Sequence, residues 1–168
     1  GKVIFRKGAQ AATLEQELNA YNGSVLERVI SGNISLRTIR QEMDKLEQKM
    51  GSEPTSETTT SHYGKLQHQF EQLNGYELEP RACAILSGLG FSDEKIKKPL
   101  NEFSGGWRMR VEMARLLLQN PDILLLDEPT NHFDLKSVEW LEGFLKNYDG
   151  SLLLISHDRR FLNNLVTR

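Results

Sequence analysis

Asn101-Glu102-Phe103-Ser104-Gly105-Gly106-Trp107-Arg108-Met109-Arg110, followed by Ile123-Leu124-Leu125-Leu126-Asp127-Glu128-Pro129-Thr130, is the stretch that decides the fold. Its first part reads as a loop running into a helix. Ser104 suits an N-cap, and Gly105 and Gly106 leave the backbone N–H groups uncovered. Such a helix start carries roughly half a positive charge and attracts phosphate. The second part is an apolar strand ending in two carboxylates. Ligands of open parallel sheets sit at the C-terminal ends of the strands. Donors for phosphate and carboxylates for a metal and a water together predict nucleotide hydrolysis.

Working outward, the order of strand, helix, strand and helix after residue 121 indicates a parallel α/β sheet. Its strands are Ile123–Leu126 and Leu152–Ile155, and the helix between them covers Leu135 to Leu145. A last helix is expected near Asp158. Upstream, residues 24–104 read as all-helical. Ser24 can cap a helix that begins at Val25. Leu36, Ile39, Met43, Leu46 and Met50 alternate spacings of three and four, a helical stripe that Gly51 is expected to stop. Gly51 to Ser61 is rich in Ser, Thr and Glu, which predicts a mobile linker. Leu66, Phe70 and Leu73 mark a second helix, so residues 35–75 predict an antiparallel helical hairpin. A short strand is expected at Val3–Phe5, and Thr13-Leu14-Glu15-Gln16-Glu17, after a stretch of small residues, can end a second one. Glu79 to Leu89 reads as a helix, and Asp93 to Leu100 as a polar connection.

The 168 residues include 38% hydrophobic and 26% charged side chains and carry a formal net charge of −2, so no general basic character argues for nucleic acid. Cys83 is the one cysteine, which excludes an internal disulfide. Its apolar helical setting favours packing over a reactive thiol. No run approaches the roughly 18 apolar residues of a membrane span, and the first residues do not read as a signal peptide. The chain begins without methionine, and we expect it to be part of a longer protein.

Asp127 and Glu128 are adjacent at a strand end, so continued pairing would send their side chains to opposite sides. One can then join a Mg²⁺ shell while the other orients or deprotonates water. An isolated Asp-Glu would be an exposed acidic pair, but the four apolar residues before it and Pro-Thr after it argue otherwise. Ser156-His157-Asp158 follows the second strand, where His157 can reach the same ligand. Three consecutive residues cannot converge as a hydrolytic triad. The other histidines lack zinc-ligand spacing. Arg108 and Arg115 share a helix face, for which ordinary surface charge is the simpler reading.

These residues closely resemble the ATP-binding cassette ATPases. Phe103-Ser104-Gly105-Gly106 is similar to the signature loop, and Ile123 to Glu128 to the Walker B strand with its catalytic glutamate. Asn131 to Leu135, including Asp134, covers the D-loop. His157 is similar to the switch histidine, and Gln16 matches the Q-loop glutamine. Trp107, Glu128-Pro129-Thr130-Asn131-His132 and Ser156-His157-Asp158-Arg159-Arg160-Phe161-Leu162 narrow the resemblance to the ABC-F group. Phe133 stands where that group usually has leucine, so we expect a packing adjustment.

The resemblance implies a partial cassette with parallel core strands and a helical signature subdomain that carries the hairpin as an arm insertion. Its parts are residues 1–23 with the Q-loop, 24–104 as the helical subdomain (arm at about 35–75, tip at 51–61), and 105–168 with the signature helix, Walker B strand, D-loop and switch strand. It further implies ATP sandwiched between this cassette, a first one, and a second on the same polypeptide. Asp127 and Gln16 would hold Mg²⁺, directly or through water. Glu128 and His157 would be catalytic, and Gln16, Ser104, Gly105, Gly106 and Asp134 would contact ATP. Action on ribosomes in the cytoplasm, through rRNA or tRNA and without a membrane domain, is also implied.

The sequence has no G-x-x-x-x-G-K-[ST] loop, and Gly1-Lys2 is too close to Gln16 to serve. The 168 residues alone are therefore expected to be inactive. A non-catalytic RNA-binding module, or a cassette of a transporter or a chromosome-associated ATPase, is the alternative.

Overall fold

A computed structural model describes residues 6–14, 21–52 and 56–165. The strand expected at Val3–Phe5 and the glutamine Gln16 lie outside the described residues. Three parallel strands form one sheet in the order β1 (Ala11–Thr13), β2 (Ile123–Asp127), β3 (Ser151–Ile155). In the register of β2 and β3, Ile123 faces Ser151 and Asp127 faces Ile155, so both C-termini reach the same sheet end. Leu124 and Leu126 are buried. On β3, by contrast, Leu153 and Ile155 stay exposed, the apolar surface that a parallel sheet normally covers.

β2 and β3 are joined through α7 (Leu135–Lys146), and α8 (Arg159–Leu165) follows β3. Asp134 caps α7 by accepting a hydrogen bond from Ser137 N at 3.0 Å. Phe161 of α8 is fully buried.

The helical layer begins with α1 (Val25–Ile30), which carries a full capping box. Ser24 Oγ accepts from Glu27 N, and Glu27 Oε2 accepts from Ser24 N at 2.7 Å. α1 packs on α6 (Gly105–Gln119), and α4 (Leu78–Gly88) packs on both. An ionic clasp reinforces the α1–α6 contact: the nearly buried Glu112 accepts from Arg28 Nε and Arg115 Nε, each at 2.6 Å. Arg115 is thus half of a structural pair, not free surface charge. Cys83 lies half-buried on α4, and burial pushes its thiol pKa up, away from reactivity. The polar connection after α4 contains a one-turn helix, α5 (Asp93–Ile96), started by Ser92.

The hairpin consists of α2 (Ile34–Ser52) and α3 (Glu57–Gln72). Leu36 and Met43 are buried against Leu66 and Phe70, as their spacing predicts. The tip is shorter than the Gly51–Ser61 linker expected from composition. α2 runs through Gly51 to Ser52, and Ser56 caps α3 by accepting from Thr59 N. A glycine at an exposed helix end costs only about 1 kcal/mol, which the preceding turns override. No helix among the described residues is long and apolar enough to cross a membrane.

Candidate functional site

The site is built at the C-terminal ends of β2 and β3. Glu128 N donates to Ile155 O at 2.9 Å, extending the ladder one residue beyond β2. Glu128 itself has a φ of 45°, the left-handed region that non-glycine residues avoid. This rotates its side chain out of the simple alternation expected from strand pairing. Asp127 is exposed, while the Glu128 side chain is only 21% exposed. Its Oε1 is buried and has no hydrogen-bond partner among the described residues. His157 Nε2 stands 3.6 Å from that atom, an electrostatic contact too long for a hydrogen bond. His157 and Glu128 thus stand together at the C-terminal ends of β3 and β2. After Glu128 the chain turns tightly, with Asn131 N donating to Glu128 O and Phe133 N to Thr130 O.

The signature loop leads into α6. Ser104 holds the extended backbone of an N-cap, but its hydroxyl makes no capping bond. The expectation of a side-chain cap is therefore corrected: the position is right, but among the described residues the hydroxyl makes no cap bond. Arg108 takes over, its Nε donating to Phe103 O at 2.8 Å and its Nη2 to Asn101 O at 2.9 Å, which pins the loop before the helix. Gly105 has open space where a side chain would stand, and a methyl at Gly106 would meet His132 Cβ at 3.4 Å.

Behind the loop lies an aromatic and cationic cluster. Trp107 packs edge-on against Phe91 at 4.8 Å, and Lys95 Nζ lies 4.1 Å from its ring centroid. Phe133 meets the Arg110 guanidinium at 5.2 Å. Arg110, buried in this cluster, also binds Asp134. The Asp134 carboxyl is held down at a pKa of about 2, first by the Ser137 backbone N–H and then by the Arg110 hydrogen bond. Sequence reasoning missed Arg110 because its partners lie 21 to 27 residues away. A basic residue three places after Trp107 was the only available signal.

A family model described as ABC transporter matches residues 7–131. The chain belongs to this family, the ATP-binding cassette proteins. The cassette is 40% identical over 168 residues to the probable ATP-binding protein YheS of Escherichia coli K12, covering all of this chain and 25% of that protein. It is 38% identical over 174 residues to ABC transporter F family member 4 of Arabidopsis thaliana, with 99% of this chain and 24% of that one covered. Against ATP-binding cassette sub-family F member 3 of Mus musculus the figures are 34% over 154 residues, 92% and 22%. It is thus a cassette of ABC-F type. The chain spans about a quarter of the length of these curated relatives.

Among solved structures, the cassette resembles the archaeal ribosome recycling factor aABCE1, crystallised with the ribosomal stalk protein aP1. The TM-score is 0.59 at 20% identity, over 98% of this chain and 25% of that one. A dimeric ATP-binding cassette bound to ADP and Pi gives 0.54 at 22%, over 93% and 56%. Both likenesses show the cassette fold. The residues matched by the family model include Ser104, Gly105, Gly106, Asp127 and Glu128. Asp134 and His157 lie beyond that match but within the similarity to YheS.

Proposed function

We propose that the full protein hydrolyses ATP held between this cassette and a second one on the same polypeptide, with Glu128 acting on the attacking water. The observation that carries this reading is the buried, unpartnered Oε1 of Glu128 at the strand end, with His157 Nε2 at 3.6 Å. A buried carboxylate oxygen without a partner is costly, and a positioned water or substrate group would satisfy it. Glu128 orients that water and accepts its proton as the oxygen attacks the γ-phosphorus and the bond to ADP breaks. His157 contacts the γ-phosphate. The Ser104 hydroxyl and the N–H groups of Gly105 and Gly106 contact ATP held by the opposite cassette. Asp134 serves the nucleotide from the segment after β2.

Mg²⁺ fits this chain's residues: the Asp127 carboxylate is exposed at the strand end. One carboxylate with phosphates and waters is the usual Mg²⁺ shell. When bound, the ion would neutralise charge on the phosphates, and Asp127, with Gln16, would hold it directly or through water.

Ribosomes in the cytoplasm, contacted at rRNA or tRNA, are the proposed site of action. The ABC-F likeness and the α2–α3 hairpin, which stands where that group carries its arm, support this choice. Because no G-x-x-x-x-G-K-[ST] loop occurs in the 168 residues, we infer that they hydrolyse no ATP by themselves.

Steady-state turnover of the full protein and its Glu128→Gln variant tests the reading. The variant is expected to bind ATP, stay closed and co-sediment with ribosomes while turnover collapses. Normal turnover in Glu128→Gln overturns the role of Glu128, and ATP-independent behaviour on ribosomes overturns the proposed coupling.

A further inference from the structure

We propose that Arg110 is a positioning residue that fixes the Ser104–Gly106 loop against the His132–Asp134 segment, so that both meet ATP as one rigid unit. The proposal rests on the ATP site described above. Arg110 sits in the second turn of α6, directly below the loop that starts that helix. It is 7% exposed. Its guanidinium is used on every edge. Nε and Nη2 both donate to His132 O, at 3.1 and 2.8 Å. Nη1 donates to Asp134 Oδ2 at 2.8 Å, to Leu89 O at 3.1 Å and to Ser137 Oγ at 3.2 Å.

The distribution of these bonds points to positioning. A staple between helices would need only Leu89 and Asp134. Here two donors converge on the His132 carbonyl, which belongs to the loop between β2 and α7 and not to either helix. That carbonyl belongs to His132, the residue whose side chain Gly106 faces from the signature side. The loop and the segment therefore meet twice, where Gly106 packs beside the His132 side chain and where the Arg110 fork, four residues on, holds the His132 carbonyl. Gly90, with φ of 89°, leaves room for the fork: a methyl there would come within 3.1 Å of Nη1. A planar, five-donor group suits this task, whereas an ammonium could keep the charge but not the convergent geometry.

The test is Arg110→Lys in the full two-cassette protein, read by ATPase kinetics and amide hydrogen exchange. We expect kcat to fall at least about tenfold with KM for ATP within about threefold, the split of an interaction that matters in the transition state. Exchange is expected to rise together in residues 104–108 and 131–134 while β2 and α1 keep their protection. A kcat within about twofold of wild type, or exchange rising in only one of the two segments, overturns the proposal. A fall in melting temperature with unchanged turnover per folded molecule assigns Arg110 a merely structural role and also overturns it. Arg110→Ala extends the series, and where it fails to fold Arg110→Lys decides. Absence of Mg²⁺-dependent ATP hydrolysis in the wild-type protein defeats the ATP reading, and the exchange pattern of Arg110→Lys then judges the linkage by itself.

Discussion

His157 Nε2 lies 3.6 Å from Glu128 Oε1, across the C-terminal ends of two neighbouring parallel strands. The two side chains differ sharply in setting: that of His157 is 99% exposed and that of Glu128 is 21% exposed. His157 therefore contributes little to folding. His157→Ala is expected to change stability by no more than about 0.5 kcal/mol. ATP hydrolysis by the full protein is expected to fall on the order of tenfold or more. Thermal melts beside steady-state rates check both halves.

The left-handed backbone at Glu128 is strained, at a cost of about 1–2 kcal/mol for a residue with a Cβ. Glu128→Gly relieves that strain, offset by the greater freedom of glycine in the unfolded chain. The variant is expected to be as stable as the wild type or slightly more stable, while losing hydrolysis. A denaturant midpoint clearly below wild type contradicts the strain argument.

Gly88 ends α4 against Trp140 of α7, where a methyl would sit 2.0 Å from Trp140 Cε2. Trp140 is a large ring, tilted on Phe144 at 5.4 Å, and cannot withdraw like a flexible tip. Gly88→Ala is expected to destabilise by about 1–3 kcal/mol through overpacking, despite alanine's better helix propensity. Chemical denaturation of the full protein measures this.

Asp134 gives a pH dependence with a definite sign. Its folded pKa of about 2 lies below its ordinary 3.8. The stabilisation is fully present above the unfolded value and is lost as pH falls through the folded one, a window from about pH 5 to about pH 2. The side chain is 57% exposed, so solvent screening keeps the contribution near or below about 1 kcal/mol. The stability gap between wild type and Asp134→Ala should therefore narrow as pH drops through that window. A gap that stays constant down to pH 2 contradicts the assignment.

Removing Glu112 strands two arginines. Glu112→Ala leaves Arg28 and Arg115, each about one-fifth exposed, without their shared carboxylate. The loss is expected to be about 3 kcal/mol, the scale of breaking a buried ion pair from one side. Equilibrium unfolding checks it, and Glu112→Gln should recover part of the loss by accepting one hydrogen bond.

Short-range patterns carried much of this structure in the sequence. Four apolar residues ahead of Asp127 mark β2, and the three-and-four spacing from Leu36 to Met50 marks α2. Ser24 announces the start of α1. What sequence did not reveal depends on distant partners. The Arg110 fork joins residues up to 27 positions away, and Gly88 reads as a helix stop until Trp140 is seen against it. The tip of the hairpin was overestimated because polar composition suggests a linker, whereas Ser56 can begin a helix in the same residues. At Glu128 the alternation rule for strands fails, since the backbone leaves the β region at that residue. Gln16 lies outside the described residues, and its place at the nucleotide is a proposal.

Single-turnover hydrolysis by the full protein is the most direct measurement, with pre-bound ATP and Mg²⁺, comparing wild type with Glu128→Gln. The amide keeps the size and can still occupy the buried position of Oε1, but it cannot accept a proton from water. We predict unchanged ATP binding and a chemical step slowed by about 10²–10⁴-fold. A Glu128→Gln variant that cleaves bound ATP at the wild-type rate contradicts the account.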